Sequence, residues 1–237
     1  MLQIDILTLF PKIISSYADE SIIKRAQEKN LVKITARNIR DFSLEKRCKV
    51  DDRPYGGGAG MIMMALPILR AVDYIKKMAK TKPKIIILSA KGKQFDQKMA
   101  QDLSRRYKHI ILISGRYEGI DERVKKILRA EEISIGPFVM TDGDIGALAI
   151  TSAVVRLLPG VLGNEESLAE ESFSKAVIKN YTALRLYGST AFTEYPHYTR
   201  PEILKYKGKN YAVQKILLTG DHKKIQAWRT KKSADID

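Results

Sequence analysis

Apolar and polar positions change period along the chain, and the changes mark its elements. Leu2–Leu9 has apolar residues at five of its eight positions and reads as a buried strand. Pro11–Lys29 carries Ile13, Ile14, Tyr17 and Ile22 on a helical stripe, with Pro11 near its start. Leu31–Ala36 reads as a second strand. Leu66–Lys80 has helical spacing, and KIIILS (Lys84–Ser89) is a short apolar strand. Gln94–Arg106 reads as a polar-faced helix and HIILIS (His109–Ser114) as another strand. Ile120–Leu128 is helical, Glu132–Ile135 extended, and Ile145–Leu158 an apolar helix ended by Pro159–Gly160. Strands alternating with helices of this length predict an α/β fold, a parallel sheet with helices on both faces.

After Gly160 the periodicity is lost. GNEESLAEE (Gly163–Glu171) is acidic and loop-like, and Ser174–Pro196 is basic and aromatic with no clear period. A final helix is expected at Lys223–Lys231, with Trp228 on its apolar side. The expected organisation is an α/β domain over residues 1–162, a flexible linker over 163–196, and a small, basic, mostly helical C-terminal domain over 197–237.

Composition narrows the class. Of 237 residues, 44% are hydrophobic, enough for a sizeable core. Lys and Arg number 42 against 27 Asp and Glu, a net charge of +15. Residues 1–174 hold 29 basic and 22 acidic side chains, while residues 175–237 hold 13 and 5, so the tail carries about half of the excess. A polyanion, most commonly nucleic acid, is the expected partner; a uniformly lysine-rich surface is the alternative. A single cysteine, Cys48, excludes an intramolecular disulfide framework. His109, His197 and His222 are too scattered for a zinc site. No apolar run reaches the ~18 residues of a membrane span. The opening MLQIDILTLFPK lacks the basic lead of a signal peptide, so a cytoplasmic protein without membrane association is expected.

In a parallel sheet, ligands bind outside the carboxyl ends of the strands. SAKG (Ser89–Gly92), SGRYEGIDER (Ser114–Arg123) and SIGPFVMTDGDIGA (Ser134–Ala147) fall there. Loops of this kind use glycine simply to turn, but three together point to a crevice for a small cofactor. No GxxxxGK[ST] is present and no GxGxxG follows the first strand, which argues against a P-loop and a dinucleotide fingerprint. GGGAG (Gly56–Gly60) reads as a mobile loop.

VDDRPYGGGAGMIMM (Val50–Met64), SGRYEGIDERV (Ser114–Val124), SIG (Ser134–Gly136), RLLPGVLGNEES (Arg156–Ser167) and PHYTRP (Pro196–Pro201) resemble, in order and spacing, the bacterial tRNA (guanine-37-N1)-methyltransferase (TrmD) family of the SPOUT class. The resemblance covers nearly the whole chain. It implies a deep trefoil knot formed by the loops around Ser89, Gly115 and Ser134–Gly146, and a homodimer whose active sites are shared between protomers. It implies S-adenosylmethionine bound in the knot by Leu88, Ser89, Gly115, Tyr117, Glu118, Ser134, Ile135, Gly136, Pro137, Phe138, Val139, Met140 and Gly143. It further implies a tRNA substrate met by Gly58, Gly60, Ser167, Tyr198 and Arg200, with Glu171 as general base and Arg156 as the cation that stabilises O6. Taken without the family, Glu171 reads as a solvated linker charge and Arg156 as a helix-end residue. Magnesium dependence is implied by the family alone, since no dedicated ligand cluster stands out.

The chemistry suits these residue types. Guanine N1 carries a proton that a base must remove, typically worth ~10²–10⁴-fold, and the charge that then builds on O6 calls for a fixed cation. A carboxylate such as Glu118 suits a sulfonium. In the tail, Lys175, Lys179, Arg185, Lys205, Lys207 and Lys209 could track an RNA backbone, with Tyr181, Tyr187 and Tyr195 either stacking on bases or packing internally. Several positions depart from the family pattern. Most relatives place aspartate where Glu171 stands, TDGDIGA (Thr141–Ala147) lacks the usual two adjacent glycines, and SAKG has alanine where proline is frequent. A knotted tRNA-binding protein with weak or no methyl transfer is the alternative, and a nucleotide-dependent metabolic enzyme a more distant one.

Overall fold

The computed structural model describes residues 1–163 and 195–234. The chain divides into two compact units, Met1–Gly163 and Asn164–Asp237.

The first unit is built on five strands: β1 (Leu2–Thr8), β2 (Val32–Asn38), β5 (Lys84–Gln94), β6 (His109–Ser114) and β7 (Glu131–Ser134). They pair in the order β2-β1-β6-β5-β7, every pair parallel. Two short strands, β3 (Asp51–Asp52) and β4 (Ile62–Met63), form a separate antiparallel pair. The helices are α1 (Pro11–Ala18), α2 (Ser21–Glu28), α3 (Ala65–Met78), α4 (Gln97–Arg106), α5 (Glu122–Leu128) and α6 (Asp144–Val155).

Strand periodicity explains the layers. Ile4, Ile6, Ile110, Leu112, Ile86 and Leu88 face one core, with side chains of α1, α2, α4 and α6. Leu7, Ile111, Ile113, Ile85 and Ile87, from the alternate positions, face a second core with α3 and α5. The central strands β1, β6 and β5 are covered on both faces, which is why they are rich in apolar residues, whereas the edge strand β2 is only partly buried. The expected doubly covered parallel sheet is what forms.

Two expectations need correction, and one element was not foreseen. Pro11–Lys29 is two helices, because Glu20 takes an extended backbone (φ −125°, ψ 157°) and Ser21 follows at φ 51°. Ser89–Gly92 is not a free loop: it bulges within β5, which shifts register between Leu88 and Lys93 and goes on to pair Gln94 with Ser134. The second unit's described residues contain more than helix. Its helix α7 (His222–Ala234) is accompanied by an antiparallel hairpin, β8 (Ile203–Tyr206) and β9 (Lys209–Ala212). The hairpin turns through Lys207 and Gly208, both at positive φ. A lysine at the first turn position gives none of the Asn, Asp or Gly cues by which such turns are found in sequence.

Within this second unit Tyr195 stacks near His197 (4.6 Å) and Trp228 (6.4 Å), and the Arg229 guanidinium lies 4.8 Å from its ring centre. Tyr195 is half-buried by these contacts. Tyr181 and Tyr187 lie outside the described residues, as do Lys175, Lys179, Arg185 and most of the acidic segment 163–171.

Candidate active site

The carboxyl ends of β5, β6 and β7 open onto a cavity of about 410 Å³. Three chain segments enclose it: the β5 bulge, the turn Gly115–Asp121 after β6, and the lip Ile135–Gly143 between β7 and α6. They meet at Gly143. Its N–H donates to the Gly115 carbonyl (2.9 Å), and a Cβ there would lie 2.9 Å from Leu88 Cβ and 3.0 Å from Gly115 N. Only a residue without a side chain allows that approach.

Leu88, Ile133, Ile135, Phe138 and Met140 make the walls substantially apolar. Phe138 (54% exposed), Val139 (88%) and Tyr117 (48%) leave an apolar rim open to solvent. The opposite wall is charged. Lys91 reaches Glu122 at 3.2 Å and Glu132 at 3.6 Å, and Lys125 closes on Glu132 at 2.5 Å. Burial acts to raise the Glu132 carboxyl, but the Lys125 hydrogen bond and the Lys91 charge outweigh it and hold the group below its ordinary range. The Lys91 ammonium is pushed up, chiefly by its hydrogen bond to Glu122.

Of the cofactor residues expected from sequence, Leu88, Ser89, Gly115, Tyr117, Glu118, Ser134, Ile135, Phe138, Val139, Met140 and Gly143 line the cavity. Gly136 and Pro137 do not. Gly136 is buried beneath the Phe138 ring and exchanges hydrogen bonds with the Ser134 hydroxyl (2.8 and 3.3 Å), so it shapes the lip from behind.

Gly60 abuts the site. A Cβ there would stand 2.5 Å from Glu118 Cγ, and the adjoining main chain is tied down by Glu118 N–H to the Met61 carbonyl (3.0 Å) and Met63 N–H to the Gly119 carbonyl (2.9 Å). Gly58 is exposed further along the same loop. Only the tip of the expected mobile loop is therefore free of the cavity turn.

Arg156 is not brought to the cavity. It follows the last residue of α6, whose first residue adjoins the lip, and 12 residues at 1.5 Å each separate the ends by about 18 Å. Tyr198 and Arg200 are exposed in the second unit, just before the hairpin. Glu171 and Ser167 lie outside the described residues. No group of three metal-ligating side chains occurs among the described residues.

The charged wall of Lys91, Glu122, Lys125 and Glu132 escaped the sequence reading, as did Arg116. A cue was available: Glu122 and Lys125 are one helical turn apart directly after the glycine turn, and Glu132 precedes SIG.

The sequence model of the family described as tRNA (Guanine-1)-methyltransferase TrmD matches residues 2–236. A tRNA (guanine-N(1)-)-methyltransferase of Carboxydothermus hydrogenoformans is 46% identical over 232 residues, covering 98% of this chain and 83% of that one. Its counterpart from Dictyoglomus turgidum is 47% identical over 233 residues, covering 98% and 85%. In structure, the chain is similar to a tRNA (m1G37) methyltransferase from Aquifex aeolicus, with a TM-score of 0.75, 37% identity, and coverage of 97% of this chain and 88% of that one.

Proposed function

The chain belongs to the tRNA (guanine-1)-methyltransferase family, and from that premise we propose that it methylates N1 of guanine 37 in the anticodon loop of tRNA, using S-adenosylmethionine held in the cavity at Gly115, Leu88 and Gly143. The observation that carries this reading is the cavity itself. Its size falls within the range of small-molecule sites, and its apolar walls and polar main chain suit a flat adenine. Glu118, in the wall, suits the positive charge of a sulfonium. When bound, that group supplies an electrophilic methyl.

The chain's own residues do the rest. Glu171 takes the proton from guanine N1 and frees the lone pair that would bond to the methyl, whose bond to sulfur would break to leave a neutral thioether. Arg156 stabilises the negative charge left on O6. Within one chain Arg156 stands far from the cavity, which supports a homodimer in which the partner completes each site. The bulge of β5, wedged by Gly92 against β7, supports reading the three loops as a trefoil knot. Residues 1–162 form the methyltransferase domain that holds the donor, and the base Glu171 comes from the segment after it. Residues 197–237 offer a basic surface to tRNA, Lys205, Lys207 and Lys209 all being exposed on the hairpin, and 163–196 join the two parts. No described helix is long and apolar enough to cross a membrane, consistent with a cytoplasmic enzyme. Magnesium has no evident set of ligands among the described residues, and no step is assigned to it.

The test is incubation with methyl-labelled donor and a tRNA carrying guanine at 36 and 37. Label at N1 of guanine 37 is expected. Binding of tRNA without transfer would favour the non-catalytic alternative, and absence of tRNA binding would remove both readings.

A further inference from the structure

The lip of the cavity is anchored at both ends. At its start, the Ser134 hydroxyl donates to the Gly136 carbonyl (2.8 Å) and the Ser134 carbonyl accepts from Phe95 N–H (2.7 Å). At its end, Asp142 makes two hydrogen bonds and an ion pair. Its Oδ1 accepts the Asp144 N–H at 2.8 Å, satisfying a first-turn donor of α6 for which Gly143 offers no side chain. Its Oδ2 accepts from the Thr141 hydroxyl at 3.1 Å and faces Arg116 Nη2 at 3.3 Å.

Arg116 is itself immobilised. Nη2 lies 2.8 Å from Oδ2 of the buried Asp144, and the guanidinium rests 4.2 Å from the centre of the Phe10 ring. Arg116 and Asp142 also form a main-chain β-bridge between the turn after β6 and the lip. The Arg116 side chain is 19% exposed and that of Asp142 12%, so solvent screens their attraction weakly. Between the anchors, Phe138 and Val139 project into solvent at the cavity rim.

We propose that Asp142 is a positioning residue for the methyl donor: clasped by Arg116 and bonded to the first turn of α6, it sets the lip over the cavity before the donor arrives. The inference rests on the donor site assigned above. Fixing the lip in advance removes ordering cost from binding, so Asp142 governs affinity while the reacting atoms are left to other groups. Asparagine at 142 keeps the shape and the bond to Asp144 N–H but loses the charge that grips Arg116. Glutamate keeps the charge with a longer reach.

The test compares the full-length protein with Asp142→Asn and Asp142→Glu. Calorimetry with S-adenosylmethionine and with its demethylated product is expected to show Asp142→Asn binding both about tenfold more weakly. The KM for donor rises accordingly, kcat at saturating donor stays within about twofold, and amides of 137–143 exchange faster with solvent. Asp142→Glu recovers part of the affinity. A lower Tm with unchanged donor affinity in both variants would overturn the proposal, leaving a purely structural role. So would a loss of kcat with KM unchanged. Failure of the wild-type protein itself to bind either compound would instead remove the donor site on which the proposal rests.

Discussion

Gly92, in the bulge of β5, is pressed against the peptide joining Glu132 to Ile133 of β7: a Cβ on it would lie 2.5 Å from the Glu132 carbonyl carbon and 2.5 Å from the Ile133 nitrogen. Both are main-chain atoms inside a paired sheet, so neither side can yield. Gly92→Ala therefore forces the bulge away from β7 and opens the cavity wall that carries Lys91. Overpacking of this kind costs about 1–3 kcal/mol, and thermal unfolding is expected to show a drop of that size. Gly163→Ala, where a Cβ would meet nothing within 4 Å, serves as the comparison and should leave Tm close to wild type. An unchanged Tm for Gly92→Ala would mean that the bulge is not wedged as described.

Asp5 makes acid sensitivity predictable. Its fully buried carboxylate lies on β1, with Arg37 Nε at 2.6 Å, His109 Nε2 at 2.7 Å and Gln3 Nε2 at 2.8 Å. Burial alone would raise its pKa, but the hydrogen bonds from His109 and Arg37, with the Arg37 charge, outweigh that and hold it below the ordinary 3.8. The unfolded chain then takes up the proton more readily than the folded one. The stabilisation is fully present above 3.8 and is lost as pH falls through the lowered native value. Asp5→Asn should cost about 3 kcal/mol at neutral pH, since it leaves Arg37 and His109 facing an uncharged partner. Its stability should also fall less steeply in acid. Denaturant melts of both proteins between pH 7 and 3 check the difference in slope; parallel curves would count against Asp5 as the acid-sensitive group.

Asp5 also shows where sequence reading reaches its limit. The two-sided sheet was legible, because Leu2–Leu9, KIIILS and HIILIS place apolar residues at both alternations of the strand. The polar cluster interrupting one face was not, because Asp5, Arg37 and His109 come together only through the parallel pairing of three strands distant in sequence. The same holds at the site. The glycine-bearing loops were legible as cavity walls, since ligands gather at carboxyl ends of parallel strands. The Lys91–Glu132 contact depends on a register shift inside β5, and the Arg116–Asp142 contact on a bridge between two loops; neither leaves a periodic trace.

Gly60 couples the glycine loop to the site through Glu118. It holds φ +79°, and a Cβ would lie 2.5 Å from both Glu118 Cγ and Oε1. Gly60→Ala strains the loop by about 1 kcal/mol and displaces the Glu118 carboxylate from the cavity wall. Since Glu118 is a flexible, exposed side chain, the fold tolerates the shift. Methyl transfer should suffer more, by about tenfold or greater if a misplaced group disturbs the reacting geometry. Single-turnover rates with labelled donor, set beside Tm, separate the two effects. A rate equal to wild type would show that Glu118 has no part in the reaction.

Arg156 yields the most discriminating experiment, because α6 separates it from the cavity within one chain. If both belong to one active site, two chains must combine to build it. Arg156→Ala alone should then be nearly inactive while binding donor normally. A second variant, Gly115→Val, places a branched side chain in the cavity lining beside Ile120 and Leu88 and is expected to exclude the donor. Unfolding and refolding the two inactive proteins together produces mixed dimers. Each mixed dimer contains one complete site, formed by the open cavity of the first chain and the intact arginine of the second. Random pairing should restore roughly a quarter of wild-type activity. Sites formed within single chains would stay broken in every combination, so a mixture as inactive as its components would refute the shared site and leave Arg156 outside the chemistry.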